Sequence, residues 1–406
     1  MSEKGEQGRA AALRQQIGHP VVDADGHWLE PGPLFLEYLR QEGGDAAVTN
    51  LLAHLERLDV WYRMSPAQRL STRLMRPGWW TEPTDTLDRA TAMLPSLLRS
   101  RRDEFGIDVG IIYPSLGMML LPLADQDLRR PAIRAMNAMT ADLFRPHRDR
   151  LLPVALVSAH TPDEAIADAH HAVEQLGFRA ILISSGIRRP MSRAAPLVGA
   201  HGAGSTGFYI DTLGMDSAFD YDPFWRACVE LKVAVTAHSG SIGWPDRQSP
   251  TNYVYNHLGH FAAANDALCK ALLLGGVMRR FPALNVAFLE GGVGWSAKLY
   301  NDLISHWRTR SPAALAKHLS PRNLDPVRLR ELIRTHGDAR LRTVADKLLE
   351  RPSSMRVNLP TEALAARDDA LPNDFAASGT TDAGQFATVF DRFFFGCEAD
   401  DVSVAW

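Results

Sequence analysis

Short apolar runs recur along the chain, separated by longer stretches of helical periodicity. This alternation restricts the fold more than any other feature. The runs cover residues 20–27, 109–114, 151–157, 180–184, 232–238, 285–290 and 393–398, with a shorter one at 375–377. Each is brief and apolar without in–out alternation, as a strand buried on both faces is. Helix signals lie between them. Thr161-Pro162-Asp163-Glu164 combines a capping hydroxyl, a proline in the first turn and acids at the positive end of the helix dipole, and Gly177 supplies the stop. Buried strands alternating with helices predict a parallel sheet.

Such a sheet is open or closed. An open, doubly wound sheet carries a glycine-rich phosphate loop after its first strand, and no G-x-G-x-x-G follows residues 20–27. A closed barrel gathers its chemistry where several strands end. Asp25, His27, His238, Glu290 and Glu398 all stand at such ends. The expected fold is therefore α/β, a (β/α)8 TIM barrel with helical insertions after strands 1 and 6, at about residues 28–104 and 296–370. Residues 1–18 read as a flexible tail or short helix, and 19–406 as one domain. The chain stops soon after its last strand, so either another helix covers that face or the C-terminus is truncated.

The first strand end is the densest in chemistry. In Asp25-Gly26-His27 the carboxylate and imidazole are two residues apart, so an extended backbone points both the same way. A carboxylate and an imidazole are two of the donors that a divalent cation takes. Taken alone, the pattern reads more readily as a strand running into an acidic turn, because so short a motif recurs by chance.

Composition narrows the partners. The chain has 46% hydrophobic and 22% charged residues and a formal net charge of -3, with no basic run interleaved with aromatics, which argues against nucleic acid. Cys228, Cys269 and Cys397 are isolated and fit neither a disulfide framework nor a zinc ribbon. The N-terminal residues lack a signal-peptide core and no apolar stretch is long enough to span a bilayer, so a cytoplasmic location without membrane contact is expected.

Several motifs together resemble the amidohydrolase-related TIM-barrel proteins, in the branch of aminocarboxymuconate semialdehyde decarboxylase. They are Asp23-Ala24-Asp25-Gly26-His27-Trp28-Leu29-Glu30-Pro31, Tyr221-Asp222-Pro223-Phe224-Trp225 leading to Ala237-His238-Ser239-Gly240, Arg280-Phe281-Pro282, Phe288-Leu289-Glu290-Gly291-Gly292-Val293-Gly294-Trp295, and Phe395-Gly396-Cys397-Glu398-Ala399-Asp400-Asp401. The resemblance implies one divalent metal ion, zinc first and manganese or iron next, held by Asp25, His27, His238 and Glu398. It places Glu290 where the family usually has a histidine, and Glu398 where it usually has a proton-shuttling aspartate, with Asp400 just beyond. A homodimer is also implied. Crowded carboxylates at a barrel mouth fit this picture, because without a cation some would be forced to stay protonated.

The expected activity is hydrolysis of a small organic acid, amide or lactone through a metal-activated water, with Glu398, Glu290 and Asp400 as the catalytic acids. The alternatives are non-oxidative decarboxylation of an aromatic or unsaturated carboxylic acid and a catalytically inactive barrel that serves as a binding scaffold. His260, Trp80, Tyr113 and Arg188 are the candidate substrate contacts. Trp79-Trp80 is either a plug under a loop or an aromatic pocket wall. Arg188 is either a carboxylate-binding residue or a solvated arginine.

Overall fold

The computed structural model describes residues 3–79, 82–190, 208–239, 248–320, 323–345, 373–398 and 401–405. The chain divides into two compact units, one made of Met1–Ala297 with Ala387–Trp406 and the other of Lys298–Phe386, where the sequence suggested a single domain.

The first unit is built on parallel strands. β1 (Val22–Trp28), β2 (Val109–Pro114) and β3 (Leu151–Pro153) pair in that order, and β4 (Ala155–Leu156), β5 (Ala180–Ser184), β8 (Ala234–His238), β9 (Val286–Phe288) and β10 (Phe393–Phe395) pair in theirs. Only Val154 separates β3 from β4, and its amide bonds Ile112 O, so residues 151–156 are one bent strand shared by both sheets. At the bend, Asn137 of the helix Gln126–Phe144 replaces a neighbouring strand. Its carboxamide donates to Leu156 O and accepts from Leu156 N, both at 2.8 Å.

The sheet curls onto itself. Four strand-to-strand steps separate β1 from β8 in the pairing order, about 19 Å across a flat sheet at about 4.8 Å per step. The His27 ring on β1 and the His238 ring on β8 are nevertheless only 5.4 Å apart, edge to face. Buried apolar side chains drive this closure: Ile112, Ile181, Leu182, Ala237 and Phe288 are fully sequestered, with helices packed outside. Among the described residues no backbone pairing joins β1 to β10.

The structure corrects the strand count. Residues 375–377, expected to be a strand, lie in a run of turns, because Phe375 serves an aromatic cluster with Trp307 and Phe386 in the second unit. The polar excursion over 186–219 contains an unanticipated antiparallel pair, β6 (Ile187–Pro190) and β7 (Phe208–Asp211). Residues 3–16 form a helix, and Arg14 on it pairs with Asp108. Helices occupy much of the stretch between β1 and β2 and the stretch after β9. No described helix is long and apolar enough to cross a membrane.

Candidate metal centre

Three side chains from two strand ends meet at the mouth of the barrel. One donor atom each from Asp25, His27 and His238 lies within 4.8 Å of the other two. Asp25 and His27 reach this point because β1 ends in a bulge: the register slips between Asp23 and Gly26, and pairing resumes as Gly26 opposite Ile112 and His27 opposite Tyr113. Gly26 permits the close approach. A Cβ there would stand 2.8 Å from Asp23 Oδ2, 2.9 Å from Ile112 Cδ1 and 3.1 Å from Ile111 O. Beneath it Asp23 accepts from the buried Arg102 at 3.1 Å. Gly110 leaves room for that guanidinium, since a Cβ would overlap Arg102 Nη2 at 1.7 Å.

His238 is 2% exposed, and its tautomer is set by the fold. Nδ1–H donates to Ser239 O at 2.8 Å, which leaves Nε2 facing the site with no hydrogen-bond partner. The orphaned nitrogen and the buried, unpartnered Asp25 Oδ1 are lone pairs awaiting an electrophile. Asp25 Oδ1 is 3.6 Å from His27 Nε2. Burial alone would disfavour the charged imidazole of His27. The neighbouring Asp25, then Glu290 and Glu30, outweigh that penalty and raise its pKa. Two nitrogens and a carboxylate oxygen suit a borderline divalent ion, so the residues present fit the group that the motifs imply.

Glu290 stands beside this trio, its Oε2 2.9 Å from His238 Nε2. It follows β9 with a left-handed φ of 54°, a conformation costly for a side chain with a Cβ. Its neighbours fix that turn. Leu289 N donates to Ala237 O, and Asn265 Nδ2 donates to Leu289 O at 2.8 Å.

The other candidates fall elsewhere. Glu398 is exposed beyond the end of β10 and outside the Asp25, His27 and His238 group. That differs from the expected four-ligand set. Asp400 and Trp80 lie outside the described residues. His260 is buried and pairs through Nε2 with Ser239 Oγ at 2.9 Å, so this nitrogen serves the loop carrying His238. Tyr113 is buried against His27 with its ring centroid 6.0 Å away, and burial pushes its phenol well above the usual range. It backs the site as a neutral hydroxyl. Arg188 is exposed over the Phe208 ring at 4.5 Å, while Arg189 beside it turns inward to Asp211 Oδ2, Tyr221 Oη and His160 O.

The sequence reading missed Glu30. Its buried carboxylate accepts from Leu116 N at 2.9 Å and Gly117 N at 2.7 Å, latching the turn after β2 to the end of β1. Burial raises its pKa even though both amides stabilise the charged form. The available signal was an acid set among Trp28, Leu29 and Pro31.

The chain is similar to an amidohydrolase from Mycobacterium avium subsp. paratuberculosis at 18% identity, over 79% of this chain and 87% of that one, with a TM-score of 0.47. It is also similar to 5-carboxyvanillate decarboxylase from Novosphingobium aromaticivorans, a structure with bound manganese, at 17% identity over 76% and 74% of the two chains and a TM-score of 0.42. A third similarity is to 2,6-dihydroxybenzoate decarboxylase from Rhizobium, at 16% identity over 94% and 88% with a TM-score of 0.40. The family model described as Amidohydrolase matches residues 22–342, most of the chain, and the protein therefore belongs to the amidohydrolase family.

Proposed function

We propose that the protein is a divalent-metal-dependent enzyme that removes carbon dioxide from a small aromatic or unsaturated carboxylic acid without redox chemistry. Asp25, His27 and His238 would hold the cation. Such a cation supplies fixed positive charge for a substrate carboxylate or phenolic oxygen. Zinc, manganese and iron are all compatible with this donor set.

The observation that favours decarboxylation over hydrolysis is the resemblance of the strand-end motifs to the decarboxylase-containing branch of the family. Hydrolysis of an amide or lactone needs a positioned acid–base group to take a proton from water and return it to the leaving group. Of the acids expected in that role, Glu398 is exposed and outside the donor group, while Glu290 stands 2.9 Å from His238 Nε2. Decarboxylation asks less of the protein: the carbon–carboxylate bond breaks, its electron pair stays on the substrate carbon, and one proton replaces the carbon dioxide. The side chains of His27 and Glu290 are each 30% exposed, so the mouth is open to solvent as a proton source. Buried Tyr113 and His238 keep water from the inner wall.

The test offers the metal-loaded protein a panel of hydroxybenzoates, with carbon dioxide release as the readout, beside a panel of amides, esters and lactones. Carbon dioxide release that is lost in His238→Ala supports the reading. Turnover of the second panel with none of the first overturns it in favour of a hydrolase.

A further inference from the structure

The helix His260–Leu274 buries a stripe that includes His260, Phe261, Ala264, Asn265 and Leu268. Phe261 meets the His238 ring edge to face at 5.0 Å, as a core residue of a helix packed on a strand does. Asn265 is fully buried on the same stripe. A leucine there would pack without the cost of desolvating a carboxamide, so the hydrogen bonds of Asn265 must account for it. They run to strand ends at the mouth and not to its own helix. Nδ2 donates to Leu289 O after β9, and Oδ1 accepts from Ser185 Oγ after β5, both at 2.8 Å. Leu289 O can only accept, so the amide edge faces it and the carboxamide has one orientation. Ser185, also fully buried, holds that orientation from the other side.

The bond falls on the peptide that enters Glu290. The Leu289 carbonyl and the Glu290 amide share one plane, so fixing the oxygen fixes the plane about which φ of Glu290 turns. Leu289 N is tied in turn to Ala237 O at 3.1 Å, one residue before His238. From this plane Glu290 takes its φ of 54° and sets Oε2 2.9 Å from His238 Nε2. A left-handed non-glycine residue persists only where its surroundings hold it. We infer that Asn265 is a positioning residue for the reaction: through the Leu289 carbonyl it holds the Glu290 carboxylate at the mouth. The inference rests on the mouth being the site of turnover, as proposed above. The same helix holds the neighbouring turn, since His260 Nε2 pairs with Ser239 Oγ at 2.9 Å.

The experiment uses the full-length, metal-loaded protein and whichever substrate panel it turns over. Asn265→Leu keeps the branched shape and loses both bonds. Ser185→Ala is milder, leaving the carboxamide in place but unpinned; it should shift kcat the same way and is read instead should Asn265→Leu not fold. Asn137→Leu is the control for general loosening, because Asn137 is another buried carboxamide bonded to strand backbone, at Leu156. A misplacement of about 1 Å can cost about 100-fold in rate, so kcat should fall at least about 10-fold in Asn265→Leu with KM within about threefold. Asn137→Leu should lower Tm and keep kcat within about threefold of wild type, and adding Asn265→Leu to Glu290→Gln should cost no more than about twofold further. A crystal structure of Asn265→Leu should show Glu290 out of the left-handed region and its carboxylate away from His238. Wild-type kcat in Asn265→Leu or in Glu290→Gln overturns the inference. So does an equal loss in Asn137→Leu, a fully multiplicative loss in the double variant, or a variant structure with Glu290 unmoved. If the wild-type protein turns over neither panel, the proposed function fails, and the variant structure alone decides whether Asn265 holds Glu290.

Discussion

Substituting Gly26 by alanine tests how the fold builds the site. The new methyl would meet Asp23 Oδ2, Ile112 Cδ1 and Ile111 O at 2.8, 2.9 and 3.1 Å. The Ile111 carbonyl is backbone and cannot swing away. Asp23 can move only by giving up its 3.1 Å bond from Arg102, a guanidinium that is 2% exposed. The least costly response lifts β1 from β2 by a few tenths of an ångström, and overpacking of this kind costs about 1–3 kcal/mol. For a unit of this size about 2 kcal/mol corresponds to roughly 4 °C in Tm. Asp25 and His27 flank the displaced residue, so cation affinity should fall along with stability. Gly32→Ala is the control, since nothing lies within 4 Å of its Cβ position and it opens the helix Gly32–Leu58. That change should be neutral or stabilise by a few tenths of a kcal/mol. Calorimetry and a Zn²⁺ titration read both effects. A Gly26→Ala protein with wild-type Tm and wild-type affinity would refute the steric argument.

Further expectations concern the buried charges and the cation. Arg129 and Glu164 form a buried bidentate pair at 3.0 and 2.8 Å, so Arg129→Met should cost about 3–5 kcal/mol in denaturant unfolding. Adding Glu164→Leu should recover most of that loss, and a double variant no better than the single would contradict this. Burial raises the Asp168 carboxyl to about 6, above its ordinary value near 4. Its contribution to stability is full below pH 4 and is lost as pH rises toward 6, about 3 kcal/mol in all. Asp168→Asn should flatten that slope and melt higher at pH 8, and an unaltered pH profile of Tm would exclude it. Cation at 100 times its Kd should add about 2.7 kcal/mol to unfolding, a gain absent from His238→Ala.

The barrel strands were legible because a strand buried on both faces leaves an unbroken apolar run, as at 109–114 and 180–184. The β6–β7 pair was not. Ile187-Arg188-Arg189-Pro190 has no strand periodicity, and what holds it is the long-range bond from Arg189 to Asp211. Residues 375–377 failed in the opposite sense, since three apolar residues specify burial without specifying a strand. At the site, the two-residue spacing of Asp25 and His27 was readable even though a bulge intervenes. The placement of Glu398 was not, because β10 ends at Phe395 and beyond it no pleat dictates where a side chain points. Glu30 escaped notice because its partners are backbone amides 86 and 87 residues away.

β1 carries two of the candidate ligands and, among the described residues, pairs on only one side, with β2. Its grip on the rest of the barrel is half that of an interior strand. His238 sits on β8, across the barrel from it. A cation shared between these strands would act as a cross-brace, replacing by coordination what the unpaired edge lacks in hydrogen bonds. Occupancy of the site and protection of the Val22–Trp28 amides from solvent exchange would then be one equilibrium, and loss of such a cation would start the unravelling of the sheet at its first strand.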